Sequence, residues 1–146
     1  MTLYAAYGSN LDPRQMLQRA PHSPHLGTGW IRGWRVTFGG EEIGWEGSVA
    51  TLAEDSTGSV FVSIYDLTKQ DESSLDEWEG VTTDLYRKIR VRVETMAGTQ
   101  LCYVYVLNSF EGGKPSGRYL EIMISAAIEA GAPDDYIAEL RNRAIR

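Results

Sequence analysis

The sequence predicts an α+β fold, a curled, mixed and mainly antiparallel sheet flanked by helices. Three observations predict it. Short segments of strand character follow one another too closely for crossover helices, so neighbours must pair mainly antiparallel. Capped helical segments stand near the start, in the middle and at the end of the chain. The whole runs to 146 residues, the size of one domain, so residues 1–146 read as a single unit with its own core.

Residues 3–7 are short, apolar and aromatic, and read as the first strand, ending in the turn signal Gly8-Ser9-Asn10. Asp12, Pro13 and Gln15 supply an N-cap, a first-position proline and a capping-box partner, which predicts a helix over residues 13–19. The following stretch holds Pro21, Pro24 and both histidines, and reads as a loop. Residues 30–38 alternate as a strand with Gly33 as a bulge, and the glycine-rich, acidic residues 39–47 read as a loop. Residues 48–52 and 58–67 read as two strands around a turn at 54–57, with Val60, Val62 and Ile64 on one face. Thr68 and Asp71 begin a helix over residues 69–79, stopped by Gly80. Residues 87–95 and 100–107 form a hairpin across 96–99. The end is helical over about residues 117–130 and, after Gly131, from Pro133 to about Arg143.

Charge and composition exclude several classes. Hydrophobic residues make up 42% and charged residues 23%, which sets disorder and fibrous classes aside. A net charge of −6 repels phosphates, so no nucleic-acid partner is expected. No apolar run approaches the roughly 18 residues a bilayer requires, the first eleven residues lack the pattern of a secretory leader, and the one cysteine, Cys102, has no partner for an internal disulfide. A cytoplasmic protein without membrane attachment is expected. No metal and no cofactor are expected either. His22 and His25 lack further ligands at zinc spacing, Gly112-Gly113-Lys114 lacks the upstream glycine of a phosphate loop, and no serine sits in a nucleophile elbow.

What remains is a different chemistry. A glycine turn between a strand and a capped helix leaves backbone N–H groups able to hold a carboxylate or an oxyanion, although an ordinary connector has the same sequence. Glu79 closes its helix at the negative end of the dipole, near Asp76 and Glu77. Those neighbours raise a carboxyl pKa as an acid–base group requires, but Asp71, Glu72, Asp76 and Glu77 equally fit a solvated acidic face. Tyr86, Tyr105 and Tyr119 are polar-tipped aromatics that read either as pocket residues or as half-buried core.

Taken together, Tyr7-Gly8-Ser9-Asn10-Leu11, then Leu75-Asp76-Glu77-Trp78-Glu79-Gly80 with Tyr86 seven residues after the glutamate, resemble the γ-glutamylcyclotransferase-like family, which includes AIG2-like and γ-glutamylamine cyclotransferase relatives. Pro115-Ser116-Gly117-Arg118-Tyr119 and Gly131-Ala132-Pro133 extend the resemblance over nearly the whole chain. It implies a barrel-like sheet, a catalytic glutamate at Glu79, a substrate-gripping loop at Tyr7, Gly8, Ser9, Asn10 and Leu11, and pocket tyrosines at Tyr7, Tyr86, Tyr105 and Tyr119. It implies a small γ-glutamyl substrate cut by cyclisation to 5-oxoproline and a free amine or amino acid, within glutathione metabolism. The alternatives are a non-catalytic protein of the same fold that binds a small carboxylate or acyl-amide ligand, and an interaction module using the acidic helix. A homodimer is among the assemblies this sequence allows.

Overall fold

The computed structural model describes residues 2–39, 49–79, 81, 86–107 and 113–145. The loop expected at 39–47 and the helix stop at Gly80 therefore lie, Gly39 apart, outside the described residues. In chain order the elements are β1 (Thr2–Ala6), a 3₁₀ turn (Ser9–Leu11), α1 (Pro13–Arg19), β2 (His25–Gly39), β3 (Val49–Leu67), α2 (Lys69–Trp78), β4 (Tyr86–Thr95), β5 (Gly98–Leu107), α3 (Gly117–Glu129) and α4 (Asp134–Arg141).

The five strands close into a barrel in the order β1-β3-β2-β4-β5. Every pairing is antiparallel except one: β5 returns beside β1 in parallel, with Tyr4 opposite Tyr103. Closure joins β5 to β1, so neither is left as the open edge of a flat sheet. Period-two alternation then splits the strand residues between two apolar clusters. Ala5, Val60, Val62, Ile64, Cys102, Val104 and Val106 join one cluster with Leu120, Met123 and Ile124 of α3 and Ile137 and Leu140 of α4. Tyr4, Ala6, Tyr65, Leu67, Tyr105 and Leu107 join the other with Met16 of α1 and Leu75 of α2.

Two of the sequence expectations change. The segments expected at 48–52 and 58–67 are one strand, β3, running through the expected turn. Asp55 does make a local turn contact, accepting from the Thr57 amide at 3.0 Å, but the chain stays paired with β2 on both sides. The register jumps from Arg32 opposite Ser59 to Trp34 opposite Glu54. The turn chemistry is thus absorbed as an irregularity in a long ribbon, opposite the bulge at Gly33, whose φ of +84° suits glycine. His25, expected in a loop, begins β2.

The helices follow their caps. Asp12 accepts from the Arg14 amide and starts α1 at Pro13; Thr68 accepts from the Asp71 amide and starts α2; Ser116 accepts from the Tyr119 amide and starts α3. Among the described residues no helix is long and apolar enough to cross a membrane.

Candidate active site

A small cavity, of about 70 Å³, is lined by Tyr4, Tyr7, Gly8, Ser9, Asn10, Ala50, Glu79, Tyr86, Tyr105 and Tyr119. Its walls come from seven elements of the chain. β1 delivers Tyr4 and, just beyond its end, Tyr7; the 3₁₀ turn delivers Ser9 and Asn10; the end of α2 delivers Glu79. Ala50, Tyr86 and Tyr105 come from β3, β4 and β5, and Tyr119 comes from the first turn of α3. A larger depression of about 650 Å³, between Trp30, Arg35, Tyr136 and Arg143, lies elsewhere on the surface and holds none of these residues.

The tyrosines form a bonded frame. The Tyr7 hydroxyl donates to the Tyr105 carbonyl. The Tyr105 hydroxyl donates to Asp76 Oδ1 at 2.7 Å, and the other oxygen of Asp76 meets Lys88 Nζ at 3.0 Å. Tyr86 and Tyr119 bracket one residue of β3: Tyr86 donates to the Ala50 carbonyl at 2.9 Å, and the Tyr119 hydroxyl accepts from the Ala50 amide at 2.9 Å. Burial holds the Tyr4, Tyr7, Tyr86 and Tyr105 hydroxyls far above the ordinary phenol range and pushes Tyr119 up to about 12. These phenols stay neutral in the working pH range, so they shape and hydrogen-bond without adding charge.

Glu79 caps α2 in helical geometry, its amide bonded to the Leu75 carbonyl at 2.8 Å. Its carboxyl pKa is pushed up to about 7. Burial among the aromatic walls is the leading cause, opposed by the guanidinium of Arg19. The neighbours named from the sequence are not that cause. Asp76 is tied to Tyr105 and Lys88, and Glu77 is exposed. A carboxyl that is half ionised near neutral pH can both accept and return a proton.

The loop after β1 is held from several sides. The Asn10 side chain, 3% exposed, donates to the Tyr4 hydroxyl at 3.1 Å, and the Asn10 backbone carbonyl accepts from the Tyr65 hydroxyl at 2.7 Å. Gly8 has an ordinary negative φ of −108°, and a Cβ built on it would meet nothing within 4 Å. Glycine at this position is therefore not called for by a left-handed φ. A side chain there would enter open space on the cavity side, which matters only to a ligand. Leu11 departs from its expected place. Its side chain is 1% exposed within the core, its amide closes the 3₁₀ turn onto the Gly8 carbonyl at 3.0 Å, and its carbonyl accepts from Ser63 Oγ at 2.8 Å. That leaves the amides at the head of the turn, where the first N–H groups of a helix have no partner within it.

Three residues at or beside the cavity escaped the sequence reading. Tyr4 was readable only as a strand aromatic, Ala50 carries no chemical signal, and Arg19 looked like an ordinary cation in the last turn of α1. Cys102 is buried, as expected of a structural thiol, and burial pushes its pKa up to about 11. Among the described residues no group of three or more His, Cys, Asp or Glu side chains gathers as a metal site would.

Comparison with known proteins bears on this arrangement. A model of the AIG2-like family matches residues 59–140. The chain is 31% identical over 144 residues to a γ-glutamylcyclotransferase of Homo sapiens, covering 95% of this chain and 77% of that protein. It is 30% identical over the same length to the Mus musculus γ-glutamylcyclotransferase, with the same coverage. Among solved structures, one of a γ-glutamyl cyclotransferase superposes with a TM-score of 0.92 at 29% identity, covering 99% of this chain and 89% of that one.

Proposed function

The chain belongs to the AIG2-like family and is an enzyme of the γ-glutamylcyclotransferase type, and from that premise we propose that it releases 5-oxoproline and a free amine or amino acid from a γ-glutamyl amide. The observation that carries the reading is the meeting of Glu79, titrating near neutrality, with the Tyr7–Asn10 loop in one tyrosine-walled cavity.

In such a substrate the α-nitrogen attacks the γ-carbonyl carbon of the same molecule and closes a five-membered ring. The bond that breaks is the γ-amide C–N bond. Folding the glutamyl chain back on itself supplies the proximity advantage, several kcal/mol in favourable cases. The α-ammonium gives up two protons on its way to the lactam N–H. One is taken by the Glu79 carboxylate and handed to the departing nitrogen; the other goes to solvent, which also completes protonation of the free amine. Glu79 thus ends as it began. The Gly8–Asn10 amides hold the substrate's anionic part and the oxygen that gains charge during attack, while Tyr7, Tyr86, Tyr105 and Tyr119 shape the pocket around the folded chain.

The test is incubation of the pure protein with γ-glutamyl amino acids and γ-glutamyl amines, with 5-oxoproline as the readout. Formation of 5-oxoproline that vanishes in Glu79→Gln is the expected result. Binding of these compounds without any 5-oxoproline would mean a ligand-binding protein on the same fold.

A further inference from the structure

Among the described residues, Arg19 touches both the loop and the end of α2, and the reaction above leaves it without a role. It does not line the cavity. Its Nη1 donates to Ser9 Oγ at 3.0 Å and to Asn10 Oδ1 at 2.6 Å. Its guanidinium lies 4.8 Å from the centre of the Trp78 ring, and Trp78 immediately precedes Glu79. With its oxygen taken by Arg19, the Asn10 amide turns its nitrogen to the Tyr4 hydroxyl, which fixes the orientation of that side chain. A single planar cation therefore clamps the proposed substrate-binding loop to the helix end that carries the proposed acid–base residue. A lysine, with one compact charge and no plane, could not make both the forked contact and the stack.

We propose that Arg19 is the positioning residue of this site, setting the spacing between the Ser9–Asn10 loop and Glu79 and keeping the carboxylate available as a base. The inference rests on the reading of Glu79 as the acid–base group. Among the described residues, the groups that face Glu79 are Tyr4 of β1, Tyr7 just beyond it, Tyr86 of β4, Tyr105 of β5, Tyr119 of α3 and Arg19 of α1. The tyrosines stay neutral across the range of interest, so Arg19 is the cation that acts on the carboxyl, and it acts to lower its pKa. Without it the acid limb of the pH profile must move to higher pH.

The experiment uses the full chain in two variants, Arg19→Met and Arg19→Lys, assayed from pH 5 to 9 with a panel of γ-glutamyl amino acids and amines. Titration of the Glu79 carboxyl by ¹³C NMR, assigned by its loss in Glu79→Gln, runs in parallel. Arg19→Met is expected to lose about 10–100-fold in kcat/KM, the scale of a small misplacement of catalytic parts. Its acid limb and its Glu79 titration both move upward, so the deficit is larger at pH 6 than at pH 8. Arg19→Lys keeps the charge and loses the fork; its limb stays with wild type while KM rises. A merely structural arginine would slow the enzyme without moving the limb, so an Arg19→Met protein whose limb and Glu79 titration superpose on wild type overturns the proposal. If Arg19→Met does not fold, Arg19→Lys decides alone: an unmoved limb with raised KM supports the proposal, and wild-type KM overturns it. Absence of 5-oxoproline from every substrate would sink the functional reading, while the Glu79 titration would still report whether Arg19 acts on the carboxyl.

Discussion

The two ends of helix α2 each draw a carboxylate away from water, Asp71 fully and Glu79 in part, and the structure treats them in opposite ways. Asp71, in the first turn, is 2% exposed. One of its oxygens accepts from the His22 amide at 2.8 Å and from Ser23 Oγ at 2.7 Å. Its own amide donates to Thr68 Oγ1, and it sits at the positive end of the helix dipole. Glu79, at the other end, is surrounded by tyrosines whose hydroxyls are committed to Tyr105, Asp76 and Ala50, and it faces the negative end of the same dipole. The difference teaches what separates a structural buried acid from a poised one. Where donors converge, the residue ties segments together. Where burial acts against a single nearby cation, protonation stays near balance at neutral pH, the condition for shuttling a proton.

That contrast can be broken by mutation. The largest effect is expected from Glu79→Gln, which keeps shape but cannot take a proton: kcat should fall by about 10²–10⁴, the usual worth of general acid–base catalysis, with substrate binding preserved because the anion contacts lie on the loop. Steady-state kinetics with separate binding measurements checks it, and a kcat within a few-fold of wild type would remove Glu79 from the centre of the mechanism. The same substitution has a stability consequence of opposite sign. The folded carboxyl titrates near 7 against an ordinary 4.5, so the native state holds its proton more tightly than the unfolded chain does. This advantage is present in full below about pH 4.5 and is lost as pH rises through about 7, where the buried group must ionise. Glu79→Gln is therefore expected to be more stable than wild type at pH 8, by up to about 3 kcal/mol, with the gain shrinking away by pH 4. Urea denaturation at the two pH values reads it, and a gain of equal size at both would show that burial is not what shifts the group.

Asp71→Ala should do the reverse. It leaves the Ser23 hydroxyl and the His22 amide without their acceptor, which costs about 1–3 kcal/mol, while kcat per folded molecule stays near wild type. The sequence set Glu79 apart by its place at the helix end, but did not show that Asp71 is a buried tie. Asp71, Glu72, Asp76 and Glu77 read as one solvated stripe, yet Asp71 is buried and Glu72 and Asp76 together hold Lys88 at 2.7 and 3.0 Å. What the sequence did show was whatever is encoded locally. Asp12-Pro13 and Thr68 placed two helix starts, and Tyr7–Leu11, Glu79, Tyr86, Tyr105 and Tyr119 were named as pocket residues through the family resemblance. Long-range facts were out of reach. The parallel contact of β1 with β5 that closes the barrel depends on chain ends about a hundred residues apart. The Asp55–Thr57 turn signal is real but sits inside a continuous strand, because pairing with β2 outweighs it. Arg19 resembles any cation at a helix end until Ser9, Asn10 and Trp78 are brought around it.

The smallest effect belongs to Glu77, two residues before Glu79 on the same helix. It is exposed, while its neighbours on either side face work of their own: Asp76 accepts from Tyr105 and pairs with Lys88, and the Trp78 ring carries the Arg19 guanidinium. A side chain in water already has its hydrogen bonds, so replacing its carboxylate by an amide exchanges one solvated group for another. Glu77→Gln removes one negative charge from the last turn of α2, where the dipole disfavours it, and the change in stability should stay within about 0.5 kcal/mol. Any electrostatic effect on Glu79 is screened by solvent, so kcat and the acid limb of the pH profile should match wild type. Measured beside Glu79→Gln, this variant asks whether the site depends on the acidity of the helix as a whole or on one buried carboxyl. A large loss of kcat in Glu77→Gln, or a shift of the acid limb equal to that of Arg19→Met, would mean that the acidic stripe acts collectively and that the contrast between the two ends of α2 is drawn in the wrong place.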